Sequence, residues 1–339
     1  MRILNAFEPP ALLQPRIATA WLVVLAMLSI GSWRLSEYAA FRRNPPQTLL
    51  RAADFMVRAT DAIRREKAAR GLLRGLELDP NRTGLIGPEW SETTTTLGNL
   101  VSKRTLTNPD VAAWVAREFH RAGLRQGDLV AVVLSGSFVG GNIAVLAAAE
   151  SYPLRTVIVS SLGASMYGAA DPALTWIDME AVVRDAGVWN ARSARALLGG
   201  ESGLARDLGM EPRAALLAAA QRNGIALLEA ASFPDLVQNA AAVLGIGPAG
   251  GEKPALLVNV GGSQVALGDC REAAGIPAGV VSAAIPCTGG TAGLIQIALA
   301  QGVQVLNLFK VKELAARHGL PLDPRPLPEP GRNPFVYAH

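Results

Sequence analysis

The chain has 339 residues, half of them hydrophobic and 18% charged, with a net charge of +4 spread over many arginines. That is enough chain for one large domain with a sizeable core. Aromatic residues at 5%, and no basic run beside stacking side chains, argue against a nucleic-acid partner.

In chain order, residues 1–16 read as an N-terminal tail and 17–34 as a single transmembrane anchor. Ile17 to Trp33 contains no charged residue, Arg16 and Arg34 close it, and Trp21 and Trp33 suit an interface. A cleaved signal peptide ending near Ser29-Ile30-Gly31 and a buried core helix are the rival readings. Arginines balance across the span; the short amino-terminal tail favours placing the bulk of the chain outside the cytoplasm. Pro45-Pro46 ends this segment. Residues 35–75 read as a juxtamembrane amphipathic helix, with Leu50, Phe55, Ile63 and Leu72 among Arg64, Arg65, Glu66 and Lys67. This helix serves as a stalk, a surface helix or the first helix of the domain.

Residues 76–319 read as the α/β domain. It opens on an unusually polar stretch, Thr83 to Asp110, dense in threonine and carrying Glu89, Trp90, Lys103 and Arg104. Core packing does not ask for such a segment, and loops of this length tend to be functional. Its end is a helix start, with Asn108 as cap, Pro109 in the first turn and Asp110 on the dipole.

The valine-rich run Leu129 to Leu134 is a buried strand. It stops at Ser135-Gly136-Ser137, and a helix follows with Asn142 as its cap. Arg155 to Ser160 is a second strand, ending in Ser160-Ser161-Leu162-Gly163-Ala164-Ser165. Ile225 to Leu228 is expected as a third strand and Ala255 to Val260 as a fourth, closing on Gly261-Gly262-Ser263. Val280 to Ile285 and Val303 to Leu308 complete the set, with a helix from Gly289 to Ala300 between them. Strands alternating with helices imply a doubly wound, largely parallel sheet. Ligands in such sheets sit beyond the carboxyl ends of the strands, where three Gly/Ser-rich loops fall here. Residues 320–339 form a proline-rich tail, read as extended or disordered.

The run GLIGPEWSETTTTLGNLVSKRTLTNPD, followed by GDLVAVVLSGSF, LTWIDMEA, NVGGSQVALG and ARHGLPLDPRPLPEPG, resembles the poly-γ-glutamate system protein family over nearly the whole chain. The resemblance implies a bacterial, membrane-anchored protein working with the machinery that makes or exports that polymer, and supplies no reaction. Ser202-Gly203 stands where the family pattern leads one to expect an acid.

The chemistry-bearing residues divide accordingly. Ser135, Gly136, Ser137, Ser160, Ser161, Gly163, Gly261, Gly262 and Ser263 offer backbone and hydroxyl donors at strand ends. Thr95, within the threonine run, adds a hydroxyl, and Lys103 with Arg104 offers charge for carboxylates. Glu89, Asp178, Glu180 and Glu201 are isolated carboxylates that serve equally as ligands or helix caps, and no metal spacing or cofactor fingerprint accompanies them. Cys270 and Cys287 match no zinc spacing and permit one bridge without demanding it. The first expectation is a protein binding the anionic polymer, a glutamyl precursor or a partner subunit of the synthase or exporter. The alternative is an amide- or acyl-transfer or hydrolytic enzyme acting on the polymer or its precursor. With three histidines, His120, His318 and His339, none in such a loop, a serine–histidine site is disfavoured and a serine–lysine pair using Lys103 stays open.

Overall fold

The computed structural model describes residues 15–43, 46–247 and 251–337, with side chains in the first helix described for 19–33. One compact unit ends at Pro45 and a second runs Pro46–Tyr337. The first contains the helix Pro15–Arg43, on which Trp21, Leu22, Leu25, Met27, Leu28, Ile30 and Trp33 are exposed. Among the described residues no helix is long and apolar enough to cross a membrane. The transmembrane part of the expectation is therefore not supported. The flanking Arg16 and Arg34 side chains lie outside the described residues.

The segment expected as one juxtamembrane helix is shared between the helices Pro15–Arg43 and Gln47–Ala69. Its second part, Gln47–Ala69, belongs to the domain: Leu49, Ala52, Ala53, Met56, Ala59, Ala62 and Ile63 recur at helical spacing and are all buried. This stripe packs on the helices Asp110–Arg121 and Val139–Ser151.

The strands are β1 (Thr94–Thr96), β2 (Leu129–Ser135), β3 (Arg155–Ser161), β4 (Ala164–Ser165), β5 (Arg195–Leu197), β6 (Leu256–Val260), β7 (Gly279–Val281) and β8 (Gln304–Leu308). Six form the main sheet in the order β5-β3-β2-β6-β8-β7, and β1 pairs with β4 in a separate two-stranded sheet. Every main-sheet pairing is parallel except β7 on β8. The α/β, mostly parallel architecture is as the alternation predicts. Strands β2 and β6 are buried along nearly their whole length, which is why they read as continuous apolar runs.

Four local expectations are corrected. Ile225 to Leu228 makes a single bridge, Leu227 to Ala196, and the strand beside β3 is instead Arg195–Leu197. The strand expected from Val280 to Ile285 stops at Val281. The helix after β2 begins at Val139 with Phe138 as its cap residue, so Asn142 sits inside the helix, where its Nδ2 donates to Ser135 O at 2.8 Å. Of the two readings of the tail the disordered one is corrected: residues 321–333 run along the surface without helix or strand, and the end is pinned to the domain. Val336 and Tyr337 are buried, the Tyr337 hydroxyl is 2.8 Å from Asp110 Oδ1, and Arg117 donates to the Phe335 and Val336 carbonyls. Cys270 and Cys287 are joined in a disulfide, Cα atoms 5.2 Å apart.

Candidate functional site

The chain leaves β2 toward β3 on one side, and later returns to place β6 on the other, so the winding direction reverses between β2 and β6. Loops that turn away from each other there leave a crevice at the strands' carboxyl ends. A cleft of about 590 Å³ lies at this place. Its walls include Ser135 and Ser137 from the end of β2, Ser161, Gly163 and Ser165 after β3, Gly262 and Ser263 after β6, and Thr95 and Thr96 from β1. Seven of the residues marked in the sequence thus converge: Thr95, Ser135, Ser137, Ser161, Gly163, Gly262 and Ser263.

Two other marked glycines support the crevice from behind. Gly136 donates its N–H to Ser161 O at 2.9 Å, and a Cβ there would approach Leu162 O to 2.9 Å, so the β2 and β3 loops meet only because it has none. Gly261, at φ +100°, donates to Leu308 O and ties the β6 loop to β8.

The polar segment supplies the remaining wall. Thr93 Oγ1 donates to Ala170 O at 2.6 Å, and Asn99 caps the helix Leu100–Thr105 by accepting from Ser102 N at 2.9 Å. That short helix sends its two cations in different directions. Lys103, 4% exposed, lies behind the cleft; its Nζ donates to Ser137 O and lies 2.9 Å from Ser165 Oγ, 5.1 Å from the centre of the Phe138 ring. Burial pulls its ammonium down to about 7. Arg104, also buried, turns away, donating to the carbonyls of Glu77 and Leu78 and pairing with Asp323 at 3.5 Å. The expected pair of carboxylate-binding surface charges is thus replaced by one lysine behind the cleft and one arginine in the framework.

The other marked residues lie elsewhere. Glu89 accepts from the exposed Tyr167 hydroxyl at 3.0 Å. Asp178 is a cap, closing a box with Thr175 and bound by Arg222 and Asn223. Ser160 is fully buried beneath the cleft, its Oγ 2.6 Å from Ser193 Oγ and 3.2 Å from Trp176 Nε1. Glu180, fully buried, accepts from both Ser193 N and Ser193 Oγ at 2.8 Å. Burial raises its pKa to about 7 against the pull of those hydrogen bonds. The unfolded chain releases this proton near 4.5 and the folded chain only near 7, so the folded state holds it more tightly. Stability tied to Glu180 is therefore full below pH 4.5, falls as pH rises to 7, and is level above; the shift corresponds to about 3 kcal/mol. Glu180→Gln keeps the shape without the charge, so denaturant midpoints should match wild type at pH 4.5 and exceed it at pH 8. Equal losses at both pH values would mean that Glu180 is ionised in the fold.

Glu201, weighed in the sequence only as an isolated carboxylate, lines the cleft, and so do Ser165, Phe138, Asp207 and Lys310, which sequence reasoning did not mark. Lys310 has left-handed backbone, φ 54°, as does Ser202 between Glu201 and Gly203, φ 57°. Non-glycine residues in that region carry strain that gathers at binding sites. Among the described residues no group of three or more His, Cys, Asp or Glu is placed to hold a metal ion.

Fold and cleft together define a doubly wound α/β protein with a crevice at its topological switch point. Comparison with protein-family models, curated proteins and solved structures gives no match.

Proposed function

We propose that this protein is an N-terminally anchored component of a poly-γ-glutamate system whose strand-end cleft receives a glutamyl segment of the polymer or its precursor. The observation that carries the reading is the convergence of three Gly/Ser strand ends and the threonine run on one cleft of about 590 Å³. A cleft of that size holds a short segment rather than a coiled polymer. With Lys103 and Arg104 buried, its donors are mainly hydroxyls and backbone N–H groups, so recognition rests on hydrogen bonds more than on bulk charge. The anchor reading draws on the exposed apolar side chains of the first helix, a surface that calls for lipid or protein cover. The Cys270–Cys287 bridge favours an oxidising compartment, which supports placing the domain outside the cytoplasm.

Binding of γ-linked glutamate oligomers to the full chain in detergent tests the reading. Millimolar oligomer should raise the melting temperature by mass action, with only shallow salt dependence. Thr96→Trp, which fills the cleft from an exposed position, should weaken affinity at least tenfold. No stabilisation at any salt, or affinity indifferent to Thr96→Trp, would remove the reading.

A further inference from the structure

A hydroxyl becomes a nucleophile when a base can take its proton and a third group holds that base in place. At the back of the cleft Lys103 Nζ lies 2.9 Å from Ser165 Oγ and also donates to the Ser137 carbonyl. One N–H is thereby spent on a fixed acceptor, which leaves the nitrogen lone pair of a neutral amine free to face the serine. Ser165 is itself held at both ends: its N–H donates to Ser137 Oγ at 3.0 Å, and it sits on β4 in register with Thr96. Gly98 closes over the lysine stem, where a Cβ would collide with the Met166 carbonyl oxygen and come 3.1 Å from Lys103 Cε.

A second buried lysine shows what a purely structural one looks like in this fold. Lys67, 3% exposed, donates to the Ile86 carbonyl at 3.5 Å, feels the charges of Arg74, Asp171 and Asp79, and does not line the cleft. Lys103 instead meets a hydroxyl on the wall of the cleft.

We propose that Ser165 and Lys103 form a serine–lysine dyad and that the cleft carries out acyl transfer on an amide or ester. The proposal rests on the cleft reading given above but not on the ligand being glutamyl. In the first half-reaction Lys103 Nζ takes the Ser165 Oγ–H proton as Oγ bonds to the acyl carbon. The bond from that carbon to the leaving amine or alcohol then breaks, the leaving group takes the proton back from Lys103, and an ester on Ser165 remains. In the second, a water molecule or an acceptor amine gives its proton to Lys103 while adding to the ester carbon; Oγ departs with that proton, releasing acid or a new amide.

Burial is the sole cause that lowers the Lys103 ammonium to about 7, which makes the neutral base abundant at physiological pH. The groups facing it are Ser137 and Phe138 from the loop after β2 and Ser165 from β4. Arg104 on its own helix points to Glu77, Leu78 and Asp323. Glu201, Asp207 and Lys310 line the same cleft.

The test is covalent labelling of the full-length protein in detergent with a fluorophosphonate, which reads the activated serine without a substrate. Peptide mass spectrometry should place one label on Ser165, and the rate should rise about tenfold per pH unit below about 7 and level above. Ser165→Ala should abolish labelling, and Lys103→Met should slow it at least a hundredfold with the melting transition intact. Lys103→Arg, charged at every working pH, should be as slow. No label on folded wild type, a label on Ser137 or elsewhere, or a rate indifferent to Lys103 would each overturn the dyad. Competition by glutamate oligomers separates the two readings. Labelling that they do not slow leaves the dyad standing and removes the glutamyl ligand; oligomer binding without labelling does the reverse.

Discussion

Replacing Lys103 by methionine should make the protein more stable at pH 6 and less stable at pH 10. The lysine ammonium loses its water on folding and gains no carboxylate, so burial lowers it from 10.5 to about 7. The folded state thus holds the proton more weakly than the unfolded state does. The stability tied to this group is complete above pH 10.5, falls as pH drops, and is fully lost below about 7; the shift of about 3.5 units corresponds to about 5 kcal/mol. Methionine fills a similar volume without charge. Against that gain stands the Ser137 carbonyl left without its donor, a loss of about 1–3 kcal/mol. The net expectation is a gain of about 2 kcal/mol at pH 6, roughly 4 °C for a domain of this size, reversing sign near the lysine's unperturbed range. Thermal scans of both proteins from pH 6 to 10 read this directly. A methionine variant less stable at every pH would mean that Lys103 is a structural tie, and the neutral amine that the dyad needs would go with it. A stabilising substitution that removes reactivity is the pattern expected where a fold holds a destabilised group for its chemistry.

Much of this arrangement was legible in the sequence. The parallel sheet followed from runs such as Leu129–Leu134 and Ala255–Val260, whose burial on both faces leaves an uninterrupted apolar signature. The cleft's position followed from the serines and glycines at their ends. What failed was short or dependent on distant partners. Arg195–Leu197 has three residues and carries no period of its own; only its pairing with β3 makes it a strand. Its rival, Ile225 to Leu228, has the better apolar composition yet pairs through one bridge.

The fates of Lys103 and Arg104 were illegible for a different reason. Adjacent residues on a helix point about 100° apart, so two neighbouring cations need not share a surface. Which direction each takes is set by Ser165, 62 residues later, and Asp323, 219 residues later. Ser165 itself carried a local signal, a serine closing the small-residue turn after β3. Only the packing of the threonine-rich segment against that turn gives it a base.

Arg104→Ala should be the most destabilising single change in the polar segment, in contrast with its neighbour. The Arg104 guanidinium is 8% exposed and spans three acceptors: the Glu77 carbonyl, the Leu78 carbonyl at 2.8 Å and Asp323 at 3.5 Å. Alanine leaves two carbonyls short of a donor and a half-buried carboxylate held only by Arg325, at 2.7 Å. Removing one partner of such a cluster costs about 3–5 kcal/mol, since the remaining groups stay out of water with nothing to bond. Melting should fall by roughly 6–10 °C. Arg104→Lys should recover less than half of this, because an ammonium cannot fork toward carbonyls and carboxylate together. The loss should also be directional. Asp323 N donates to Thr105 Oγ1 at 3.0 Å, so the Arg104 cluster holds the segment after Gly319 against the helix Leu100–Thr105. Limited proteolysis of the alanine variant should cut between Leu320 and Asn333 well before the sheet is attacked, while Lys103→Met stays resistant there. Unchanged melting with weakened binding of glutamate oligomers would reverse the assignment and return Arg104 to the ligand.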